Sequence, residues 1–242
     1  MTSNPNNKFL YKNWLGISLV IVGVAMFFVV DQRIVPLLSF APFQREALNN
    51  IFRYQVVTLG ITLIFLTLLF MLFKEKFCSF AHIGNMQVHP EPVKFLGIKP
   101  SDKWLGLGIN FAVVVSLATG AFLFFGNLDG DITRLNLSYI SIASLFALSN
   151  SFIEEAITRF GVVVTLKNVL PDRTIALISG LIFGIPHYFG TPGGPVGAVM
   201  AAFLGWLLAK SMLETKGIFW AWFIHFLQDV LIYTVIISLL PA

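Results

Sequence analysis

Glu154 and Glu155 stand side by side inside an apolar run, with Arg159 four residues on; His187 follows in a later apolar run, and His225 and Asp229 in a third. A carboxylate, two imidazoles and a further carboxylate gathered in a low-dielectric pocket are the parts of a water-activating site. Glu154 has the chemistry of a general base, His187 that of a group that shares or holds the water, and His225 with a partner that of an oxyanion stabiliser. The chemistry such parts suit is hydrolysis within a membrane. On insertion scales each charge at a helix centre costs about 3 kcal/mol, so four of them unpaired would cost about 10 kcal/mol, which is rarely kept without a use. Serine, zincin and aspartyl protease signatures find no match: there is no Gly-x-Ser-x-Gly elbow, no His-Glu-x-x-His and no Gly-x-Gly-Asp within an apolar run.

Helix geometry gives these residues different tasks. Glu155 and Arg159 are four apart, share a face and form a brace-like ion pair, while Glu154 is turned by about 100° and faces elsewhere. His225 and Asp229 share a face by the same spacing, as do Phe183 and His187. Asp229 is placed to orient His225. Pro186, directly before His187, removes a backbone donor and predicts a kink there.

The elements that must position these groups are membrane helices. The chain has 242 residues, of which 57% are hydrophobic and only 12% charged, with a mean hydropathy of +0.82; a soluble domain is roughly a quarter charged. Apolar runs at Trp14–Val30, Gln55–Phe73, Trp104–Phe125, Leu137–Leu166, Ile175–Phe189, Pro195–Leu208 and Gly217–Leu240 give seven spans. The stretch between Ile34 and Tyr54, with Pro36 and Pro42, is the place for an eighth, so the expected fold is an all-α polytopic membrane protein of seven or eight transmembrane helices. Residues 1–137 read as an N-terminal transmembrane scaffold with a cytoplasmic loop at 74–103, and residues 138–242 as the catalytic membrane core. Cys78 is the single cysteine, so no intrachain disulfide is expected. With the amino terminus in the cytoplasm, eleven basic residues (Lys8, Lys12, Lys74, Lys76, Lys94, Lys99, Lys103, Lys167, Arg173, Lys210, Lys216) lie inside and four (Arg33, Arg45, Arg53, Arg134) outside. The net charge of +4 is thus a topology signal and gives nucleic-acid binding no support.

Depth ties the polar groups together. Glu154 lies 13 residues from Lys167, His187 lies 14 from Arg173 and Asp229 lies 13 from Lys216, each about 20 Å from the cytoplasmic end of its span at 1.5 Å per residue, with His225 at about 14 Å. Three spans therefore bring polar groups to one level, which indicates one site. His82 and His89, in the loop, read as solvated. Gly193, Gly197, Ala201, Gly205 and Ala209, and Gly180 with Gly184, read as close-packing stripes.

Glu154-Glu155-Ala156-Ile157-Thr158-Arg159, Phe183-Gly184-Ile185-Pro186-His187 and His225-Phe226-Leu227-Gln228-Asp229 resemble, in order, the Glu-Glu-x-x-x-Arg, Phe-x-x-x-His and His-x-x-x-Asn/Asp motifs of the CAAX prenyl endopeptidase and bacteriocin-processing family (CPBP, Abi). The resemblance spans about Ser138 to Leu240. Asp229 departs from the Asn common in the CAAX-processing branch. The resemblance implies an intramembrane endopeptidase acting on a membrane-associated, in some members prenylated, protein or peptide that enters from the lipid or the cytoplasmic face. Glu154 and His187 would activate water, His225 and Asp229 would stabilise the tetrahedral intermediate, and Glu155 with Arg159 would hold the helix. The residues leave metal use open: Glu154, His187 and His225 could bind one divalent ion such as zinc in the three-ligand manner, or act without it. The expected partners are membrane lipids and a peptide substrate, and the expected home is a bacterial cytoplasmic membrane, with the endoplasmic reticulum as the alternative. Two other readings compete. A non-enzymatic immunity or scaffold protein would keep the motifs as a relic. A proton-coupled transporter would also use an intramembrane carboxylate and histidine cluster, but it predicts paired halves, and no counterpart of the motifs precedes residue 138.

Overall fold

The computed structural model of the chain describes residues 5–190 and 193–240, with side chains from Tyr11 onward. Its α-helices are α1 (Pro5–Val29), α2 (Glu46–Phe80), α3 (Trp104–Gly126), α4 (Ile140–Glu155), α5 (Val162–Leu166), α6 (Asp172–Gly184), α7 (Gly194–Thr215) and α8 (Phe219–Leu239). A π-helical stretch, Ala156–Gly161, joins α4 and α5 into one membrane helix, and a second, Val30–Ile34, extends α1. Among the described residues the only β pairing is an isolated bridge between Val93 and Ile98.

Six of these segments are long and apolar enough to cross a membrane: Tyr11–Leu37, Glu46–Phe80, Trp104–Gly126, Leu137–Leu166, Gly194–Thr215 and Phe219–Leu239. The protein is an all-α polytopic membrane protein. The seventh apolar run forms α6, which is only 13 residues long, about 20 Å. Pro186 then opens a 3-10 turn, Pro186–Phe189, because a proline nitrogen cannot continue the α-helical ladder. That helix reaches the level of the site and stops there. The stretch from Ile34 to Tyr54 adds no membrane helix: it holds one 3-10 turn, Val35–Leu37, then irregular chain, and α2 takes over at Glu46. α2 is consequently longer than its apolar run, and it kinks at Phe73 (φ −133°, ψ 39°) directly before Lys74.

The helix α4–α5 runs through the centre, every residue from Glu155 to Thr165 buried. Its partners are α8 along α4 and α1, α2 and α7 around the π stretch, while α6 packs most extensively on α7. That last contact depends on glycine. A Cβ on Gly184 would lie 2.5 Å from the Ala202 Cβ and 2.6 Å from the Ala198 carbonyl oxygen, and one on Gly180 would lie 2.6 Å from the Ala202 oxygen. The anticipated packing role of Gly180 and Gly184 is met here, with Gly205 lying against Gly180 and Phe183. Large apolar side chains such as Ile64, Met71, Val114, Leu117, Leu145 and Val199 are exposed around the periphery, where lipid is the solvent.

The two ends of the bundle differ. At the end carrying most lysines, the loop after α2 is tied down by Asn85 N–H to Thr215 O (2.8 Å), Ile218 N–H to His82 O (2.9 Å) and Lys210 Nζ to Glu91 O (2.9 Å). Trp104 Nε1 donates to Glu214 (2.7 Å), and Arg173 pairs with Glu91. His82 and His89 sit in this loop, each hydrogen-bonded to backbone. At the other end Arg45 donates to the carbonyls of Ile237 and Leu240, closing the last turn of α8 against the start of α2.

Candidate active site

Glu154 and Glu155 are the last residues of α4, and the helix widens into its π turn immediately after them. Such bulges insert an extra residue into the helical turn and occur often at functional sites. Here the widened ladder finds side-chain partners: Thr158 Oγ1 donates to Glu154 O (2.6 Å) and Ser179 Oγ donates to Thr158 O (2.7 Å).

Around this bulge the polar side chains form one cluster. Glu155 is completely buried, and its Oε1 forms an ion pair with Arg159 Nη2 at 3.0 Å and lies 2.8 Å from His225 Nδ1. A carboxylate oxygen accepts, so Nδ1 bears the proton and Nε2 faces the cluster. There Nε2 stands 3.5 Å from Asp229 Oδ1 and 3.7 Å from Glu154 Oε2. The Asn150 amide lies between the two outer carboxylates, donating to Glu154 Oε1 (3.1 Å) and Asp229 Oδ2 (3.0 Å). Glu155 thus occupies the nitrogen that helix spacing alone would leave for Asp229 to orient, while keeping the expected pair with Arg159.

Phe183 is the apolar hub. The Arg159 guanidinium stacks over its ring at 3.6 Å, the His187 ring lies 4.2 Å away and the His225 ring 5.4 Å. Arg159 also donates through Nη1 to Thr158 Oγ1 (2.6 Å), so a buried cation is held by a carboxylate, a hydroxyl and a π face together. His187 does not join the hydrogen-bonded cluster: its Nδ1 lies 2.8 Å from Phe183 O. A carbonyl only accepts, so Nδ1 carries the proton and Nε2 is left with a lone pair.

Two cavities meet at Phe183 and His187. One, of about 370 Å³, is lined by Glu154, Thr158, Tyr54 and Tyr233 together with the exposed Asp31, Asn50 and Gly190. The other, of about 270 Å³, reaches His225, Gln228 and Asp229 between α3 and α7, past Val114, Phe122, Met200 and Phe203. Glu154 is the most accessible acid of the cluster, its side chain 19% exposed against 7% for Asp229 and 0% for Glu155. Among the described residues no three His, Cys, Asp or Glu side chains are grouped to hold a metal ion. The proposed set of Glu154, His187 and His225 is therefore not assembled as ligands.

Sequence reasoning missed several members of this site. Asn150 had a readable signal: it is an amide in an apolar helix, four residues before Glu154 and on its face. Asp31, Asn50 and Tyr54 had none, because their place at the first cavity depends on α1 and α2 packing beside α4–α5.

Residues 136–231 match the family described as type II CAAX prenyl endopeptidase Rce1-like. No curated protein and no solved structure matches the chain. The resemblance carried by the three motifs is thereby borne out over this stretch, which includes every motif residue from Glu154 to Asp229. The match supports a CAAX-type endopeptidase, a hydrolase integral to a membrane, with a lipid environment and a peptide or protein substrate.

Proposed function

We propose that the protein is an intramembrane endopeptidase in which Glu154 and His187 activate the attacking water. The observation that carries this reading is that Glu154 and His187 line one cavity, beside the His225–Asp229 pair. Water between the Glu154 carboxylate and the free Nε2 of His187 gives up a proton to Glu154 as its oxygen bonds to the scissile carbonyl carbon. In this reading His225, held by Glu155 through Nδ1, stabilises the oxyanion of the tetrahedral intermediate. The C–N bond then breaks, and Glu154 returns the proton to the leaving amine. Asn150 screens Glu154 from Asp229, and Arg159 with Phe183 fixes Glu155 and both histidines. The apolar cleft between α3 and α7 suits the hydrocarbon part of a membrane-associated substrate, prenylated or plain.

The test is purified protein in detergent, assayed on quenched peptides with and without a prenyl group, with bound metal measured by mass spectrometry. Glu154→Gln and His187→Ala should each lower cleavage by about 10²-fold or more, the usual scale for a lost acid-base group, without changing elution volume or melting temperature. Folded wild type that cleaves no peptide, or a Glu154→Gln variant that cleaves normally, would move the assignment to a scaffold. Metal that copurifies stoichiometrically and disappears in both variants would replace the metal-free water step.

A further inference from the structure

Helices α4 and α8 meet in three rungs. Glu154 Oε2 stands 3.7 Å from His225 Nε2, the Asn150 amide donates to Asp229 Oδ2 (3.0 Å), and the Phe146 and Tyr233 ring centroids lie 5.9 Å apart. Each step is four residues on both helices, so Glu154, Asn150 and Phe146 share one face of α4, and His225, Asp229 and Tyr233 share one face of α8. The first two rungs belong to the proposed water-activating cluster. The third carries a phenol that the cluster does not use, and Tyr233 lines the cavity of Glu154 and His187.

A third helix orients the Tyr233 hydroxyl. Gln55 of α2 is buried, and its Nε2 donates to Phe146 O (3.0 Å) and to Tyr233 Oη (3.0 Å), while Ser149 Oγ donates to its Oε1. A backbone carbonyl only accepts, which identifies Nε2 as the nitrogen of that amide and makes Tyr233 Oη an acceptor. The phenol proton is therefore not engaged by Gln55, and it meets no acceptor among the described residues. Tyr54, next to Gln55 in the chain, lines the same cavity, and its hydroxyl also has no hydrogen-bond partner among the described residues. Two O–H donors thus stand unused in one cavity with Glu154.

A peptide in that cavity needs such donors. Its backbone carbonyls lose water on entering the membrane, and each one left unpaired opposes binding. The cleft between α3 and α7 presents mainly apolar side chains such as Val114, Phe122, Met200 and Phe203, so it is poorly equipped to pair them. Tyr233 lies one turn beyond Asp229 and two beyond His225, about 6 and 12 Å along the helix axis. An extended chain advances about 3.3 Å per residue, so the hydroxyl meets a bound peptide about two to four residues from the reacting bond.

From these observations we infer that Tyr233 and Tyr54 are substrate-binding residues, whose hydroxyls donate to backbone carbonyls of the peptide flanking the scissile bond. Both stand outside residues 136–231, the stretch that matches the family, so the family match does not supply this role. The inference rests on the endopeptidase reading above for the cleavage itself, while the two donors and their cavity stand on geometry.

Kinetics in detergent test it, with a quenched peptide that the wild type cleaves and that runs several residues to either side of the bond. Tyr233→Phe removes only the hydroxyl. A hydrogen bond made in ground and transition states alike shows in KM, so this variant should raise KM by about fivefold, the scale of one neutral hydrogen bond, and leave kcat little changed. Tyr54→Phe should do the same, and it leaves no buried Gln55 donor unpaired. Shortening the peptide to a single residue past the bond, on each side in turn, should abolish the Tyr233→Phe penalty in one case and keep it in the other. A fall in kcat that is equal for the parent and both shortened peptides would mark the hydroxyl as holding water or the fold, and would overturn the inference. An unchanged KM in either variant would overturn it too, and both results leave the endopeptidase reading intact. Absence of cleavage of any peptide by folded wild type would overturn the endopeptidase reading and this assignment with it.

Discussion

Asn150 bears on why this site tolerates an acid at position 229. Its amide donates to both outer carboxylates of the cluster, and like charges in a poorly solvated pocket repel strongly. An Asn at 229 would itself be neutral, so here the neutral amide sits on α4. The consequence is specific: Asn150→Leu should lower cleavage by about tenfold or more, the scale of a lost charge-assisted hydrogen bond of about 1.5–3 kcal/mol. Asp229→Asn in the same chain should restore part of the loss. A purely structural Asn150 would give two additive losses, so a rate comparison of the single and double variants checks the point.

At the level of elements, the position of His187 depends on how closely α6 approaches α7. Gly180 and Gly184 let the backbones meet, and Pro186 then ends the helix so that His187 lies in a 3-10 turn against Phe183 O. Gly184→Leu should therefore act twice. Overpacking against the Ala198 carbonyl and Ala202 should cost about 1–3 kcal/mol, read as a lower melting temperature in detergent. The same displacement carries His187 away from the Glu154 cavity, so kcat should fall even at temperatures where the variant is fully folded. Leu181→Phe, at a neighbouring lipid-exposed position, provides the control of similar bulk and should change neither quantity.

At the scale of the whole molecule, a docked loop closes the lysine-rich end of the bundle. The clamp includes Arg173 on Glu91, and the hydrogen bond from Arg173 holds the Glu91 carboxyl below the usual carboxylate range, with Lys210 nearby adding to it. A depressed carboxylate pKa means that the attraction is fully present above the usual carboxylate range and is lost as pH falls through the lowered value. Both side chains are substantially exposed, 77% and 45%, so salt should weaken the contact as acid does. Limited proteolysis of residues 81–103 should accordingly quicken in acid and at high salt. Arg173→Ala should be cut at neutral pH about as the native chain is in acid, and a loop insensitive to all three changes would show that its other ties, Lys210, Trp104 and the backbone bonds to Thr215 and Ile218, hold it without Arg173.

Much of this protein was legible without coordinates because membrane insertion imposes it locally. A span needs about 20 apolar residues, so composition marks the helices, and the cost of a charge in lipid makes Glu154, Glu155, Arg159 and Asp229 conspicuous where they stand. The i,i+4 rule likewise foretold the Glu155–Arg159 pair, and three ordered motifs carried the family resemblance. What depended on tertiary structure was everything set by distance between helices. That includes the π turn after Glu155, the transfer of His225 Nδ1 to Glu155 in place of Asp229, and the entry of Asp31, Asn50 and Tyr54 from the first half of the chain into the wall above Glu154. It also includes the two cavities beside Phe183 and His187, since a cavity forms only where packed helices fail to fill the space between them. Sequence spacing fixes which face of a helix a residue occupies, but which neighbour meets that face is settled by packing.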